Sequence, residues 1–249
     1  MKHSSASHEF ALYYESLSGQ ASPLGNLIIT AKEMVHRIER VLRLKEGEQF
    51  ILFNRERHAK LRITQMDRKQ IVTEIISFDQ NKIYSPDISF LLPVLKRDAL
   101  SAAVYFLVEA GVNAIQLIQS KNQQRAWGGQ KELERLERVC IAAAEQSKHF
   151  AIPPVLEPIS YEQAVNNLPE SGLRILANPD GVSFTDISSK GVPTQIILTC
   201  GPEADLSVEE KELLRVASFQ SMRLTPTILR AETAAFCISS LFRSVFSNS

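Results

Sequence analysis

Cysteine, net charge and long apolar runs are all scarce in this chain, and each shortage removes a class of protein. There are 3 cysteines, Cys140, Cys200 and Cys237, scattered and odd in number. They offer neither a disulfide framework nor the spacing of a zinc site, and they suit a reducing compartment. As small apolar side chains they are expected in the core. The formal net charge is zero, which argues against a protein that holds nucleic acid by bulk positive charge. No apolar run is long enough to span a bilayer, and the charged, histidine-bearing N-terminus has no hydrophobic signal core. There is no G-x-G-x-x-G fingerprint, no phosphate-loop lysine motif and no metal-ligand spacing. Ser, His and Asp occur, but no motif sets them as a triad. A cytoplasmic protein with no membrane attachment and no metal is the expectation.

What is present is ordinary globular material. The 249 residues, 44% hydrophobic, allow one large or two modest domains with a sizeable core. Charge is unevenly spread. Residues 1–81 carry 12 Lys and Arg against 10 Asp and Glu, residues 82–150 carry 9 against 7, and residues 151–249 carry 7 against 11. The slightly basic first two thirds suit contact with phosphates, and the acidic last third suits a cofactor half better.

Residues 1–8 read as disordered, and His3 and His8 are too isolated to hold a metal. From Glu9 to about Ser77 the pattern is short and β-like. Leu27–Ile29, Gln49–Phe53, Lys60–Ile63 and Gln70–Ile76 alternate or run apolar between polar turns. Thr30 is placed to cap a helix over Ala31–Val41, with Gly47 beyond its end. Several short strands and one helix fit a small barrel. Arg37, Arg40, Arg43 and Lys45 fall on or after that helix, and Arg55, Arg57, His58 and Lys60 fall at a turn. They read either as phosphate contacts or as a solvated face shared with Glu39, Glu46 and Glu56.

Residues 78–87 read as a linker, and the period changes beyond it. Strands are expected at Ile88–Val94, Ala114–Ile118, Arg174–Ala177 and Gln195–Thr199, with a turn at Asn178–Gly181. Helices are expected at Asp98–Ala110, stopped by Gly111, and at Gln130–Phe150. Ser207-Val208-Glu209-Glu210 has the capping-box pattern that opens another. The last, over Ala231–Phe246, has Ile238, Leu241, Phe242 and Val245 at helical spacing. Strands alternating with helices predict a mostly parallel, covered sheet, which on residues alone is Rossmann-like.

Two stretches organise the second half. Leu198-Thr199-Cys200-Gly201-Pro202-Glu203 breaks an apolar strand, and Leu224–Ala234 is a loop that runs into the last helix. Each lies between an apolar segment and a helix N-terminus, the usual place for a ligand in an α/β sheet. Leu176, Leu198, Leu224, Ile228 and Leu229 read by themselves as core.

These stretches resemble the knotted SPOUT-class RNA methyltransferases. Gly201-Pro202-Glu203 after a strand, Ile228–Ala234 (ILRAETA) before the last helix, His36–Arg43 with Gly47 after it, and Ala143-Ala144-Glu145-Gln146-Ser147 follow one another in the family's order. The chain is most similar to the ribosomal RNA small-subunit methyltransferase E family, which methylates N3 of a uridine in 16S rRNA. The resemblance implies a PUA-like RNA-binding barrel at 1–80 and a trefoil-knot α/β (SPOUT) domain at 82–249. It implies S-adenosylmethionine as cofactor, 16S rRNA of the small ribosomal subunit as partner, and a homodimer whose sites are completed across a two-fold interface. Another RNA base, a ribose hydroxyl, or a catalytically weak assembly role are the alternatives.

Carried over residue by residue, the resemblance makes Leu176, Asn178, Leu198, Thr199, Gly201, Glu203, Leu224, Thr225, Ile228 and Leu229 cofactor contacts. Arg230 becomes a stabiliser of charge on the uracil oxygens, and Glu232 a proton acceptor or an orienter of Arg230. The bland alternative is an Arg230–Glu232 pair that pins the helix start. Arg37, Arg40, Arg43, Arg55 and Arg57 become RNA contacts. The chain departs from the family where GPEGG is Gly201-Pro202-Glu203-Ala204-Asp205. If position 204 needs positive φ, Ala there costs about 1–2 kcal/mol. Thr225 replaces a glycine, and Asn54-Arg55 replaces an Asp-Gly turn. Phe106 and His149 replace a lysine and an arginine on what should be the RNA side.

Overall fold

The computed structural model describes residues 9–17, 25–187 and 192–246. The stretch 1–8, expected to lack regular structure, lies outside the described residues. The chain divides into two compact units, 1–82 and 83–249.

The first unit contains a five-stranded sheet and, among the described residues, a short helix after its second strand. Strands β1 (Phe10–Tyr13), β2 (Asn26–Ile29), β3 (Gln49–Phe53), β4 (Arg57–Met66) and β5 (Ile71–Gln80) lie in the order β1-β3-β4-β5-β2. β1 runs parallel to β3, and the other pairings are antiparallel. In β2 burial alternates strictly, so Leu27 and Ile29 enter the core while Ile28 faces water. They meet Leu12, Ile38, Phe50, Leu52, Leu61 and Ile71 there.

Four expectations need correction in this unit. Helix α1 is only Lys32–His36, continued by a wider π-type turn over Arg37–Val41. Ala31, not Thr30, is its N-cap, and no side chain caps it. The turn at Arg55 ends before Arg57, because Asn54 Oδ1 accepts the Glu56 and Arg57 amides at 2.9 and 2.8 Å. Arg57, His58 and Lys60 are therefore on β4. The linker shrinks because β5 continues through Gln80, paired with Arg57.

The second unit is a six-stranded parallel sheet. Its strands are β6 (Asp87–Pro93), β7 (Ala114–Ile118), β8 (Val155–Ile159), β9 (Leu173–Val182), β10 (Gln195–Cys200) and β11 (Gln220–Met222), in the order β11-β9-β10-β6-β7-β8. Among the described residues α2 (Arg97–Glu109), α3 (Gln130–Ser147), α4 (Tyr161–Asn166) and α5 (Val208–Val216) connect them, and α6 (Ala231–Phe246) follows the last strand. β10 sits centrally, between β9 and β6, and its Ile196, Ile197 and Leu198 are buried. Parallel strands covered on both faces read as continuous apolar runs, as here. α2 stops at Gly111, whose φ of +75° is left-handed and disfavours a side chain. Among the described residues no helix is long and apolar enough to cross a membrane.

Here too the structure departs from the pattern. α3 ends at Ser147 rather than Phe150, because Lys148 takes the left-handed conformation at φ +60°. His149 then turns inward. It is buried, its Nδ1 lies 3.0 Å from the Val108 carbonyl, and its ring packs on Tyr84. Burial holds its pKa below the usual histidine value. His149 is therefore a core residue rather than a weakened cation on an RNA face. Asn178–Gly181 is not a turn, since β9 runs through it to Val182. Gly181 permits this, because a Cβ there would lie 2.5 Å from the Ser221 carbonyl carbon and the Met222 nitrogen on β11.

That contact is with backbone, which cannot move aside cheaply. Gly181→Ala is expected to destabilise by about 1–3 kcal/mol, read as a lowered midpoint in urea unfolding. Gly25→Ala, where no atom lies within 4 Å, should leave the midpoint unchanged. Equal midpoints for both variants would disprove the close approach.

Candidate active site

A cavity of about 640 Å³ opens at the C-terminal edge of the parallel sheet. Three separated segments form most of it. β9 gives Leu176, Asn178 and Pro179, the β10 exit gives Cys200 to Glu203, and the loop after β11 gives Leu224 to Arg230. The N-terminus of α6 closes it with Ala231, Glu232 and Ala234. The first intrahelical bond of α6 runs from the Ala234 amide to the Arg230 carbonyl at 2.8 Å. The amides of 231–233 therefore have no helical partner, and they give this end of the cavity a partial positive charge.

Of the residues expected to hold a ligand, Leu176, Asn178, Gly201, Glu203, Leu224, Thr225, Ile228 and Leu229 line this cavity, as do Arg230 and Glu232. Leu198 and Thr199 do not. Both are fully buried on β10, two and one residues before the lining begins. Arg230 is exposed at the edge, and among the described residues it forms no ion pair. The pairing with Glu232 that would make both residues merely structural is absent.

The arginines expected to contact RNA belong to the first unit and are not part of the cavity. Arg40 is exposed and lies 3.4 Å from Glu39, while the Arg57 guanidinium lies over the Phe78 ring at 5.5 Å. Arg37 falls in the π-type turn, Arg43 follows it with φ +56°, and Arg55 is exposed in the Asn54 turn.

The Gly201–Leu206 loop is tightly built. The Glu203 carboxylate accepts the Lys96 amide at 2.9 Å, just before α2 begins. A carboxylate at a helix N-terminus satisfies an orphan donor and complements the dipole. Ala204 is not in the left-handed region, so the cost considered for it does not arise; Asp205 is, with φ +62°. Asp is among the residues that visit this region with least penalty. Its Oδ1 accepts the Leu206 amide at 2.7 Å and its Oδ2 accepts Lys211 Nζ at 2.6 Å. Gly201 leaves room for that carboxylate, since a Cβ would sit 3.0 Å from Asp205 Oδ1. α5 starts with the expected capping box, the Ser207 amide donating to Glu210 at 2.9 Å and the Glu210 amide to Ser207 at 3.2 Å.

Sequence reasoning missed one support. Tyr161, at the start of α4, is buried, and its hydroxyl lies 3.0 Å from Thr199 Oγ1 and 3.4 Å from the Cys200 carbonyl. Thr199 in turn donates to the Leu91 carbonyl at 2.8 Å. Burial raises the Tyr161 pKa well above its ordinary value, so the hydroxyl stays protonated. The available signal was Ser160 with Gln163 three residues later, a capping box that the structure forms in full. Cys200, the first cavity residue of the loop, is not a nucleophile. Burial pushes its thiol up to about 12, with Glu232 and Glu203 adding to the shift.

Comparison with known proteins follows this geometry. Residues 84–243 match the model of an RNA methyltransferase domain, and residues 38–76 that of an RNA methyltransferase PUA domain. The chain is 26% identical over 215 residues to a ribosomal RNA small subunit methyltransferase E of Mesomycoplasma hyopneumoniae, covering 84% of this chain and 91% of that one. It is 26% identical over 221 residues to that of Aquifex aeolicus, covering 87% and 94%. Among solved structures, the ribosomal RNA small subunit methyltransferase E of Neisseria gonorrhoeae bound to S-adenosyl methionine is similar. Its TM-score is 0.81 at 25% identity, covering 96% of this chain and 99% of that one.

The Tyr161–Thr199 pair has a measurable signature. Tyr161→Phe and Thr199→Val are each expected to cost about 0.5–1.5 kcal/mol, the worth of a buried hydrogen bond. Urea unfolding of the double variant should fall short of the sum, because the partners no longer leave each other unpaired. Strict additivity would mean that the two hydroxyls do not interact.

Proposed function

The chain belongs to the RNA methyltransferase domain family, and from that premise we propose that it uses S-adenosylmethionine to methylate N3 of a uridine in 16S ribosomal RNA. The observation that carries the reading is the cavity itself, assembled from three loops at the sheet edge with Arg230 at its rim. Its size falls in the usual range for a small-molecule site, about 300–1,000 Å³. Leu176, Leu224 and Leu229 offer apolar walls, and Gly201 lets backbone approach what is bound. The residues present therefore fit the cofactor. When bound, S-adenosylmethionine supplies the methyl group as an electrophilic sulfonium.

The chain's own work is positioning and charge. Leu224 to Leu229 orient one reactant, and the α6 N-terminus with Arg230 favours negative charge on the other. Uridine N3 must lose its proton as the new N–C bond forms. A guanidinium beside a uracil carbonyl stabilises the anionic ring, and the α6 dipole acts in the same direction. Glu232, on the first turn of α6, is the acceptor for the N3 proton.

Further parts of the reading concern the frame. The first unit contributes RNA affinity through Arg37, Arg40, Arg43, Arg55 and Arg57, and residues 82–249 contain the whole cofactor site. The second unit follows the trefoil-knot path of the class, a reading supported by the family match over residues 84–243. The protein acts as a cytoplasmic homodimer. Phe236 on α6 is 39% exposed with its ring 5.4 Å from that of Phe106, so Phe106 belongs to an apolar surface suited to a partner subunit.

Two variants test this reading. Leu229→Arg puts a charge in the apolar wall and should abolish S-adenosylmethionine binding in calorimetry while leaving thermal unfolding intact; normal binding would move the cofactor elsewhere. Arg230→Ala should bind the cofactor within a few-fold of the parent. On 30S subunits its single-turnover methylation should slow about 10²–10³-fold, the usual cost of losing an electrostatic stabiliser. A near-normal rate would remove Arg230 from the mechanism. Nucleoside mass spectrometry of the product should give 3-methyluridine, and a ribose-methylated or other base product would overturn the assigned position.

A further inference from the structure

The connection 119–129 between β7 and α3 leaves the sheet at the edge that carries the cavity. It is fastened to one cavity-lining residue, Asp205, and to two neighbours of the lining. Asn122 Nδ2 donates to the Asp205 carbonyl at 3.1 Å, and the Lys121 amide donates to the Glu210 carboxylate at 2.8 Å. Arg125 Nε donates to the Leu95 carbonyl at 2.6 Å, beside Lys96, which lines the cavity. The connection thus lies against residues of the cavity lining without contributing to the lining itself.

Trp127, the one tryptophan of the chain, sits within these ties and is only half-buried. A single carboxylate holds a side chain before it and a backbone amide after it. Before the indole, Arg125 pairs with Glu132 through two bonds of 2.8 Å. After it, the Gly128 amide donates to Glu132 Oε2 at 2.9 Å. Gly128 is needed there, because a Cβ would lie 2.7 Å from that same oxygen. Glu132 is buried and also accepts Arg135 Nη2 at 3.0 Å. Burial alone would raise its pKa, but the bonds from Arg125 and the Gly128 amide outweigh that and hold it below the usual carboxylate range. The grip therefore persists at neutral pH. The rim beside it begins α2 with exposed Lys96 and Arg97, cations suited to phosphate.

We propose that Trp127 is a stacking platform for a nucleobase of the substrate RNA that flanks the target uridine. The proposal rests on the reading of the cavity as an RNA methyltransferase centre. To enter that cavity the target base must leave its stack, and its neighbour loses a partner. An indole on the connection beside the cavity replaces the lost stacking, and it does so with any base, because every base offers a π-face. The two-sided hold by Glu132 means little conformational freedom remains to be lost on binding.

Single-turnover methylation at varied 30S concentration tests this. Trp127→Ala should raise the half-saturating concentration about tenfold, within the range for a stacked base lost to alanine. Its S-adenosylmethionine affinity should stay within twofold, and Trp127→Phe should restore most of the loss. Unchanged half-saturation in Trp127→Ala would overturn the proposal. A parent enzyme that leaves 30S subunits unmethylated would count against the substrate reading instead. The lone tryptophan then still decides the platform through its own emission. An eight-residue oligouridylate should bind and quench it, and RNA that fails to bind, or binds without changing the emission, would overturn the proposal.

Discussion

The site depends on where β10 ends, and hydrogen bonds on three sides fix that point. Ladders to β6 and β9 hold the strand laterally, from Gln195 to Cys200. The Tyr161 hydroxyl holds it from α4, through Thr199 and the Cys200 carbonyl. With the strand exit immobilised, Gly201 and Pro202 leave in a set direction. Glu203 then reaches the Lys96 amide and joins the loop to the first turn of α2. A cavity made mostly of loop becomes as well defined as the sheet beneath it. Loops positioned by rigid strands are where α/β proteins carry function.

The same logic explains how the chain tolerates losing glycine at two positions of this loop. Left-handed backbone is needed at 205, not at 204, so Ala204 is unstrained. Asp205 accepts the left-handed geometry and uses its carboxylate to bond Leu206 and Lys211. The exposed Lys211 contact contributes little by itself, as surface pairs do. The local bond to the Leu206 amide matters more, because it ties the turn to its own backbone. A loop that glycine would leave free is held here by side chains.

Much of this was legible in the sequence. Ala114–Ile118 and Ala231–Phe246 have their observed bounds, since apolar period and flanking glycine or proline mark them plainly. What escaped had physical reasons. β8 contains Pro158, which obscures a strand, yet β8 is an edge strand, where a missing amide is tolerated. β11 has three residues, too few for any period. Asn178-Pro179-Asp180-Gly181 has turn composition, yet it lies inside β9, in the irregularity between the Leu176 and Val182 pairings to β11. At the site, the lining leucines and Arg230 were readable from position relative to breaks. Lys96, Ala99, Asp205 and Lys211 reach the cavity from elements whose juxtaposition only the fold decides. Leu198 and Thr199 lie two and one residues before Cys200, where the cavity lining begins.

The high pKa of Cys200 has a bearing on chemistry the protein must survive rather than perform. Peroxide and electrophilic reagents attack thiolates, and the fraction of thiolate falls tenfold for each unit by which the pKa exceeds ambient pH. A thiol pushed up to about 12 exposes almost none at neutral pH, though it lines the cavity. The protonated sulfur also faces the Ala231 carbonyl at 3.7 Å, a weak contact that keeps it turned toward the α6 start. The result is a cysteine that packs as a small buried side chain at the strand exit, with burial itself shielding the sulfur from reagents.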